Sequence, residues 1–279
     1  MVAWHPFDVG VLTMFWFYHL PTWQMGTLVI SVYCAVAYMG SWLVDQYLKP
    51  HQSNNLVSDT IRSVVACYSI LMGLTAVTTW NNFKDVQSTV AREAYASAEV
   101  YQACAIYHEP ERSRLQSLLR TYVRIVIHEE WPAQQEGQLV EGATAVLQRL
   151  KSEHHLVRID TKAEAFAHDV AKEKLGELSE NRRLRRLAIT GGLHPMMWFV
   201  AVFGSILSVS LACFYATEHK RLKHCLTAAL AGMVGLMIFW VLALDRPLLG
   251  DVSVQPDRFQ YVLHDVMTES PARTAVVRP

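Results

Sequence analysis

The fold is decided by residues 63–80, SVVACYSILMGLTAVTTW, together with the residues immediately after them. The stretch holds no Asp, Glu, Lys or Arg. It runs without a proline or a glycine pair into Asn81–Tyr107, where Phe83, Val86, Val90, Ala94 and Tyr101 recur at helical spacing. A single helix from about Ile61 to Tyr107 would reach roughly 70 Å at 1.5 Å per residue, far past a hydrocarbon core of about 30 Å. The spacing predicts a membrane span that leaves the bilayer as an unbroken helix.

Outward from it, Thr27–Val44, Leu193–Thr217 and Cys225–Leu244 also contain no Asp, Glu, Lys or Arg. A span needs roughly 20 apolar residues, so four are available. The whole chain of 279 residues is 52% hydrophobic and 18% charged, with 25 basic and 25 acidic side chains. Its mean hydropathy of +0.15 hides a segregation. Between Asn81 and Gly192 lie 32 of the 50 charged residues, 16 of each sign. This composition excludes a water-soluble globular enzyme, and zero net charge excludes a strongly basic nucleic-acid binder. Residues 81–192 show apolar stripes about one helix face wide and nothing that reads as a strand. One stripe runs from Leu115 to Ile127 and stops at Trp131-Pro132. A second takes in Leu139, Ala143, Val146, Leu147 and Leu150. A third helix is expected from Ala163 to Leu187.

The expected fold class is an all-α membrane protein with four transmembrane helices and a cytoplasmic helical domain between spans 2 and 3. Its parts are an interfacial amphipathic segment (1–22, with a helix over Phe7–Leu20), transmembrane helices 1 and 2 (23–80) and the cytoplasmic helical domain (81–192). Transmembrane helices 3 and 4 (193–247) and a cytoplasmic C-terminal segment (248–279) complete it; Ser270–Pro279 reads as disordered. Near the bilayer, nine Lys and Arg fall on the side of the termini and middle domain, against five on the other. The positive-inside rule then places termini and middle domain in the cytoplasm, in a bacterial inner membrane. Glu218-His-Lys-Arg-Leu-Lys-His224 works against that orientation.

Five cysteines (Cys34, Cys67, Cys104, Cys213, Cys225) are scattered without a C-x-x-C pair; the four in or at the end of spans read as small buried hydrophobes, and neither a disulfide framework nor a metal site is suggested. His128-Glu129-Glu130 and Glu153-His154-His155 lack a metal-site spacing, and no phosphate loop or nucleophile elbow is present. No catalytic residue, metal or cofactor is assigned. On the second span, at about 100° per residue, Ser63, Cys67, Leu74, Thr78, Asn81, Asp85, Ser88, Arg92 and Glu99 fall in one narrow sector. If several copies surround an axis, Ser63, Cys67, Leu74, Thr78, Asn81 and Asp85 line a water-filled conduit that is narrowest near Leu74. Ser88, Arg92 and Glu99 then face a cytoplasmic vestibule. The competing reading is that the hydroxyls bond back to their own helix and glue spans together. No formal charge lies inside a span so delimited, which argues against ion-coupled transport. His194-Pro195 with Trp198 reads as an interfacial helix start. Gly232-x-x-Gly235 reads as a close helix contact, and Asp245-Arg246 as an ordering pair, with each other or with Arg182–Arg186.

The sequence resembles the bestrophin-like family of four-span membrane proteins, a domain family distantly related to bestrophin channels. The resemblance rests on Leu20-Pro21, Arg92-Glu93-Ala94, Tyr122-x-x-x-Val126-x-x-x-Glu130-Trp131-Pro132, Arg182–Leu187, Pro195-x-x-Trp198 and Leu244-Asp245-x-Pro247-x-x-Gly250, over roughly residues 20–262. It implies a membrane homo-oligomer in which, as in bestrophins, five subunits place their second span around a central anion pore. The partners implied are the lipid bilayer and permeating inorganic ions. This chain departs from the family pattern in two respects. Leu71 and Leu74 mix with hydroxyls where bestrophin necks carry bulky apolar rings, and the acidic cluster for calcium control is absent. Asp85 and Glu99 at the cytoplasmic mouth suit a cation channel of the same architecture. A non-conducting membrane scaffold or signalling subunit is the alternative from another class.

Overall fold

The computed structural model describes residues 20–48, 55–214 and 219–268. Apart from Leu20, the expected interfacial helix Phe7–Leu20 lies outside them, as does the tail Ser270–Pro279. All described secondary structure is helical: α1 (Thr22–Leu43), α2 (Asn55–Cys104), α3 (Glu111–Ile125), α4 (Trp131–Gln135), α5 (Gly142–His155), α6 (Lys162–Thr190), α7 (Pro195–Cys213), α8 (Lys220–Asp245) and α9 (Asp257–Tyr261). Wider π turns follow α1 (Val44–Leu48), α3 (Val126–Glu130) and α9 (Val262–Val266). Among the described residues four helical segments are long and apolar enough to cross a membrane: Thr22–Tyr47, Ser58–Cys104, Pro195–Cys213 and Lys220–Asp245.

The chain divides into two compact units. The first gathers α1, α2 as far as Phe83, α7 and α8. Here α1 and α8 run antiparallel with their backbones nearly touching: a Cβ on Gly235 would lie 3.2 Å from Tyr33 Cβ and 3.3 Å from Ile30 Cα, and one on Gly232 would lie 3.4 Å from Cys34 Sγ. Lipid tails are as apolar as leucine, so helices in a bilayer associate through such close fits and through hydrogen bonds. Tyr33 Oη and Ser205 Oγ stand 2.7 Å apart, and Tyr68 Oη donates to Ala201 O at 3.0 Å. Gly204 leaves the room that the Tyr68 ring fills, since a Cβ there would come within 2.5 Å of it. Tyr68, Met72, Ala37, Ala201, Ala231 and Ile238 belong to the buried core between these helices.

The π turn after α1 and the first turns of α8 lie beyond the uncharged stretches, and they bring a buried ion pair into the helical part of this unit. Lys223 Nζ lies 2.5 Å from Asp45 Oδ1, both largely buried, and His224 Nδ1 lies 2.9 Å from Ser41 Oγ. The π turn at Val44–Leu48 carries Asp45. At the other end Asp245 accepts from Leu193 N (2.6 Å) and Trp198 Nε1 (3.3 Å), with Arg246 Nε at 4.0 Å. His194 Nδ1 caps α7 by accepting from Met196 N at 3.3 Å.

The second unit holds α2 from Lys84 onward, α3 to α6, and the segment around α9. α6 starts at a reciprocal cap: Thr161 Oγ1 accepts from Glu164 N (3.1 Å), while Glu164 Oε2 accepts from Thr161 N (3.0 Å). The expected stop at Trp131-Pro132 is corrected. The helix passes through it, because the π turn lets Trp131 N–H reach Val126 O and puts Pro132, which has no N–H, in the first turn of α4. α5 begins at Gly142, later than Leu139, which stays exposed outside the helix.

Candidate functional site

α2 is a single helix of 50 residues. In its first part, Tyr68, Met72 and Thr79 are buried against the first unit, whereas Ser63, Cys67, Leu74, Thr78 and Asn81 are all exposed. In its second part, Val86, Val90, Glu93, Ala94 and Ser97 are buried within the second unit, whereas Asp85, Ser88, Arg92 and Glu99 are exposed. Among the described residues the nine members of the stripe are thus all exposed. Two open crevices flanked by α7 border it: Ser63 and Cys67 edge one of 360 Å³, Leu74 and Thr78 one of 260 Å³. Ile70 (66% exposed) and Val77 (57%) flank Leu74 (62%) on the same outward side, so the stripe is apolar at mid-span. By helical spacing Ile70 falls in the same sector as Leu74, and Val77 lies just beside it.

The hydroxyls of this helix bond backward. Ser63 Oγ donates to Asp59 O (2.9 Å), Ser69 Oγ to Val65 O (2.8 Å), Thr75 Oγ1 to Leu71 O (2.9 Å) and Thr78 Oγ1 to Leu74 O (2.9 Å). Each proton is engaged with its own helix, leaving the oxygen lone pairs outward. Among the charges, Glu99 is neutralised by Lys174 Nζ at 3.0 Å, whereas the Asp85 and Arg92 side chains stand exposed.

The second unit also contains a cluster that sequence reasoning did not assemble. Arg185 Nε and Nη2 grip Glu93 Oε2 and Oε1 at 2.6 and 2.9 Å; Arg182 Nη1 and Nη2 grip Glu130 Oε2 and Oε1, both at 2.7 Å. Arg185 Nη2 also reaches Glu130 Oε2 at 3.3 Å, joining the two pairs, and Tyr122 Oη donates to Glu93 Oε1 at 2.6 Å. Ala143 N adds a backbone donor to Glu130 at 3.2 Å, and the guanidiniums of Arg182 and Arg185 lie over the Tyr122 and Trp131 rings. All four charged groups are buried, two of each sign. Burial pushes the Glu130 carboxyl up, but hydrogen bonds and charge from Arg182 and Arg185 outweigh it and hold the group below the usual carboxylate range. Burial likewise pushes Arg185 down, and Glu93 outweighs it, so the guanidinium stays charged.

The π turn delivers Glu130 to this cluster and leaves His128 and Glu129 outside it. The available sequence signal was helical spacing. On α6 the buried positions include Ala167, Ala171, Leu175, Leu178, Arg182, Arg185 and Ile189, so two arginines occupy core register. Tyr122, Val126 and Glu130 step by four in the same way.

A second buried node joins α5, α6 and the turn after α2. His154 and His168 stack with ring centroids 4.0 Å apart, and Tyr107 Oη lies 3.2 Å from His154 Nε2 and 3.3 Å from His168 Nδ1. Desolvation first, then the charges of His168, His155 and Lys172, push His154 down to about 4. Among the described residues no cluster of three or more His, Cys, Asp or Glu could hold a metal ion, and all five cysteines are free.

Four membrane-length helices, one prolonged into a charge-rich helical unit with an uncovered polar stripe, define the class: an all-α multi-span membrane protein. A match to the Bestrophin-like domain covers residues 31–259, and the chain belongs to that family. The fold is similar to crystal structures of a bacterial bestrophin homologue from Klebsiella pneumoniae. One, solved by Zn-SAD phasing, aligns over 88% of this chain and 99% of that one at 12% identity, with a TM-score of 0.63. A single-site mutant of that homologue aligns over 87% and 96% at 11% identity, also with a TM-score of 0.63. A further crystal structure, described only as a mutant membrane protein, aligns over 87% and 96% at 10% identity, with a TM-score of 0.65. No curated protein matches the chain.

Proposed function

We propose that the protein is a homo-oligomeric ion channel, five subunits by family analogy, whose central pore is lined by α2 and which passes anions as bestrophins do. The observation that supports this most is the stripe on α2. Its back is packed by its own chain while Ser63, Cys67, Leu74, Thr78, Asn81 and Asp85 face outward. A polar strip on a membrane-length helix is costly against lipid, and copies of the same strip meeting around an axis remove that cost by enclosing water. In this reading Ile70, Leu74 and Val77 form a dry constriction that gates by dewetting. Ser88, Arg92 and Glu99 line the vestibule beyond it, with the second unit and both termini in the cytoplasm of a bacterial inner membrane.

A cation channel of the same architecture is the second reading, and one observation favours it. The Ser63 and Thr78 hydroxyl protons are donated to Asp59 O and Leu74 O, so their oxygens present lone pairs, which coordinate cations and offer anions nothing. Asp85 adds a carboxylate at the same strip.

Purified protein in planar bilayers tests both. Unitary currents that change with Thr78→Ala and Asp85→Asn are expected, and the reversal potential in asymmetric salt separates anion from cation. Silence across ions, pH and voltage would sink the channel in favour of a scaffold.

A further inference from the structure

Within the second unit, α5 and α6 enclose an open cavity of 480 Å³, within the size range of small-molecule sites. Its lining includes four cationic side chains, Lys151, Arg182, Arg183 and Arg186, and no carboxylate. Thr144 Oγ1 accepts from Arg182 Nη2 at 3.0 Å and from Arg186 Nη1 at 3.1 Å, so one hydroxyl holds two guanidiniums side by side. Arg182 is neutralised from behind by Glu130. Arg186 meets Glu141 at 3.2 Å, a carboxylate that is 76% exposed and screened by water. Arg183 is likewise held by Glu180 at 2.6 Å, so the positive potential that an anion would relieve comes from Lys151 and from Arg186, whose carboxylate partner is screened by water. Fixed guanidinium forks match the oxygens of a phosphate.

The rest of the wall carries three leucines, Leu139, Leu147 and Leu187, among uncharged polar side chains. Leu147 faces the cavity from α5, and Leu187 lines it from α6 while remaining 54% exposed. Leu187 also precedes Pro195, the first residue of a membrane-length helix, by only eight positions. A free phosphate would use the basic side and leave this wall wet. We propose that the cavity binds a phosphate-bearing amphiphile, with the phosphate held by Lys151 and Arg186 and the hydrocarbon laid along Leu147 and Leu187. Its sources are an anionic phospholipid of the surrounding bilayer or a soluble long-chain phosphate.

The test uses the full-length protein in a neutral detergent, with native mass spectrometry and equilibrium titration. The probes are short-chain phosphatidic acid, phosphatidylcholine, a soluble alkyl phosphate and inorganic phosphate. Phosphatidic acid is expected to bind at least about tenfold more tightly than phosphatidylcholine, with Lys151→Gln and Arg186→Gln each weakening it about tenfold. Lys151→Arg should retain binding. Arg158→Gln, at an exposed arginine that does not line the cavity, should leave it unchanged. Glu141→Gln should tighten binding, a gain that misfolding cannot mimic. Alkyl phosphate binding as tightly as the lipid supports the site with a soluble source; a clear preference for the lipid supports the bilayer source. Equal affinity for phosphatidylcholine, affinity unchanged by Lys151→Gln and Arg186→Gln, or inorganic phosphate binding as well as either amphiphile would overturn the proposal.

Discussion

In the first unit, α1 and α8 meet through glycines and alanines, and a buried ion pair, Asp45–Lys223, sits at their ends. In the second, α2, α3 and α6 meet around four buried charges, Glu93, Glu130, Arg182 and Arg185, fixed by bidentate contacts and by Tyr122. The contrast follows from what each interface has to work with. Helices rich in leucine, valine and phenylalanine throughout gain little by hiding such side chains from lipid, so fit must come from backbone proximity. Helices with one apolar stripe gain from burying it, and their polar members are tolerated at the centre only as a complete set. The first interface is therefore vulnerable to added volume, and the second to a missing partner.

The most damaging change should be Arg185→Ala, which leaves Glu93 buried without its cation. A loss of about 3–5 kcal/mol is expected in denaturant unfolding of the purified protein. Pairing Glu93→Met with Arg185→Met should recover at least half of it, since removing both charges costs less than orphaning one; no recovery would mean the cluster stabilises through packing alone. Asp45→Asn orphans Lys223 in the first unit. Because that pair lies at helix ends, where water is nearer, the expected loss is smaller, about 2–3 kcal/mol.

Of similar size is a pH effect on the Tyr107–His154–His168 node. The folded pKa of His154, about 4, lies below its ordinary 6.5. Its stabilising contribution is complete above pH 6.5 and is lost as pH falls towards and through about 4. Stability should drop by up to about 3 kcal/mol across that window, and His154→Leu should flatten the drop in thermal melts taken at successive pH values. An unaltered slope in the variant would assign acid sensitivity to other groups. The smallest effects contrast two glycines. Gly235→Ala pushes a methyl against Tyr33 Cβ and Ile30 Cα and should cost about 1–2 kcal/mol. Gly73→Ala meets nothing within 4 Å and should stabilise α2 by about 0.5–1 kcal/mol. Equal responses at the two sites would refute the tight α1–α8 fit.

Much of this architecture could be read from residue order. The four uncharged stretches announced four membrane-length helices, and the unbroken run from Ser63 past Asn81 announced that α2 continues well beyond a bilayer's thickness. Gly232-x-x-Gly235 was legible as a close contact because only a missing side chain lets two backbones approach. Thr161-x-x-Glu164 is a reciprocal cap written in four residues, although the expected start fell at Ala163. Trp131-Pro132 misled, because a π turn absorbs a proline that an α-helical register could not. The stripe of Ser63 to Glu99 was computable from spacing; its exposure among the described residues was not.

Hydropathy and periodicity are local sums over neighbouring residues, and they set the number, length and helical character of the elements without reference to the rest of the chain. The partner of a buried charge is not a local property. Arg182 meets Glu130 across 52 positions, and Arg185 meets Glu93 across 92. Only packing decides which of 16 cations and 16 anions in the middle segment lose their water, and therefore which must find each other.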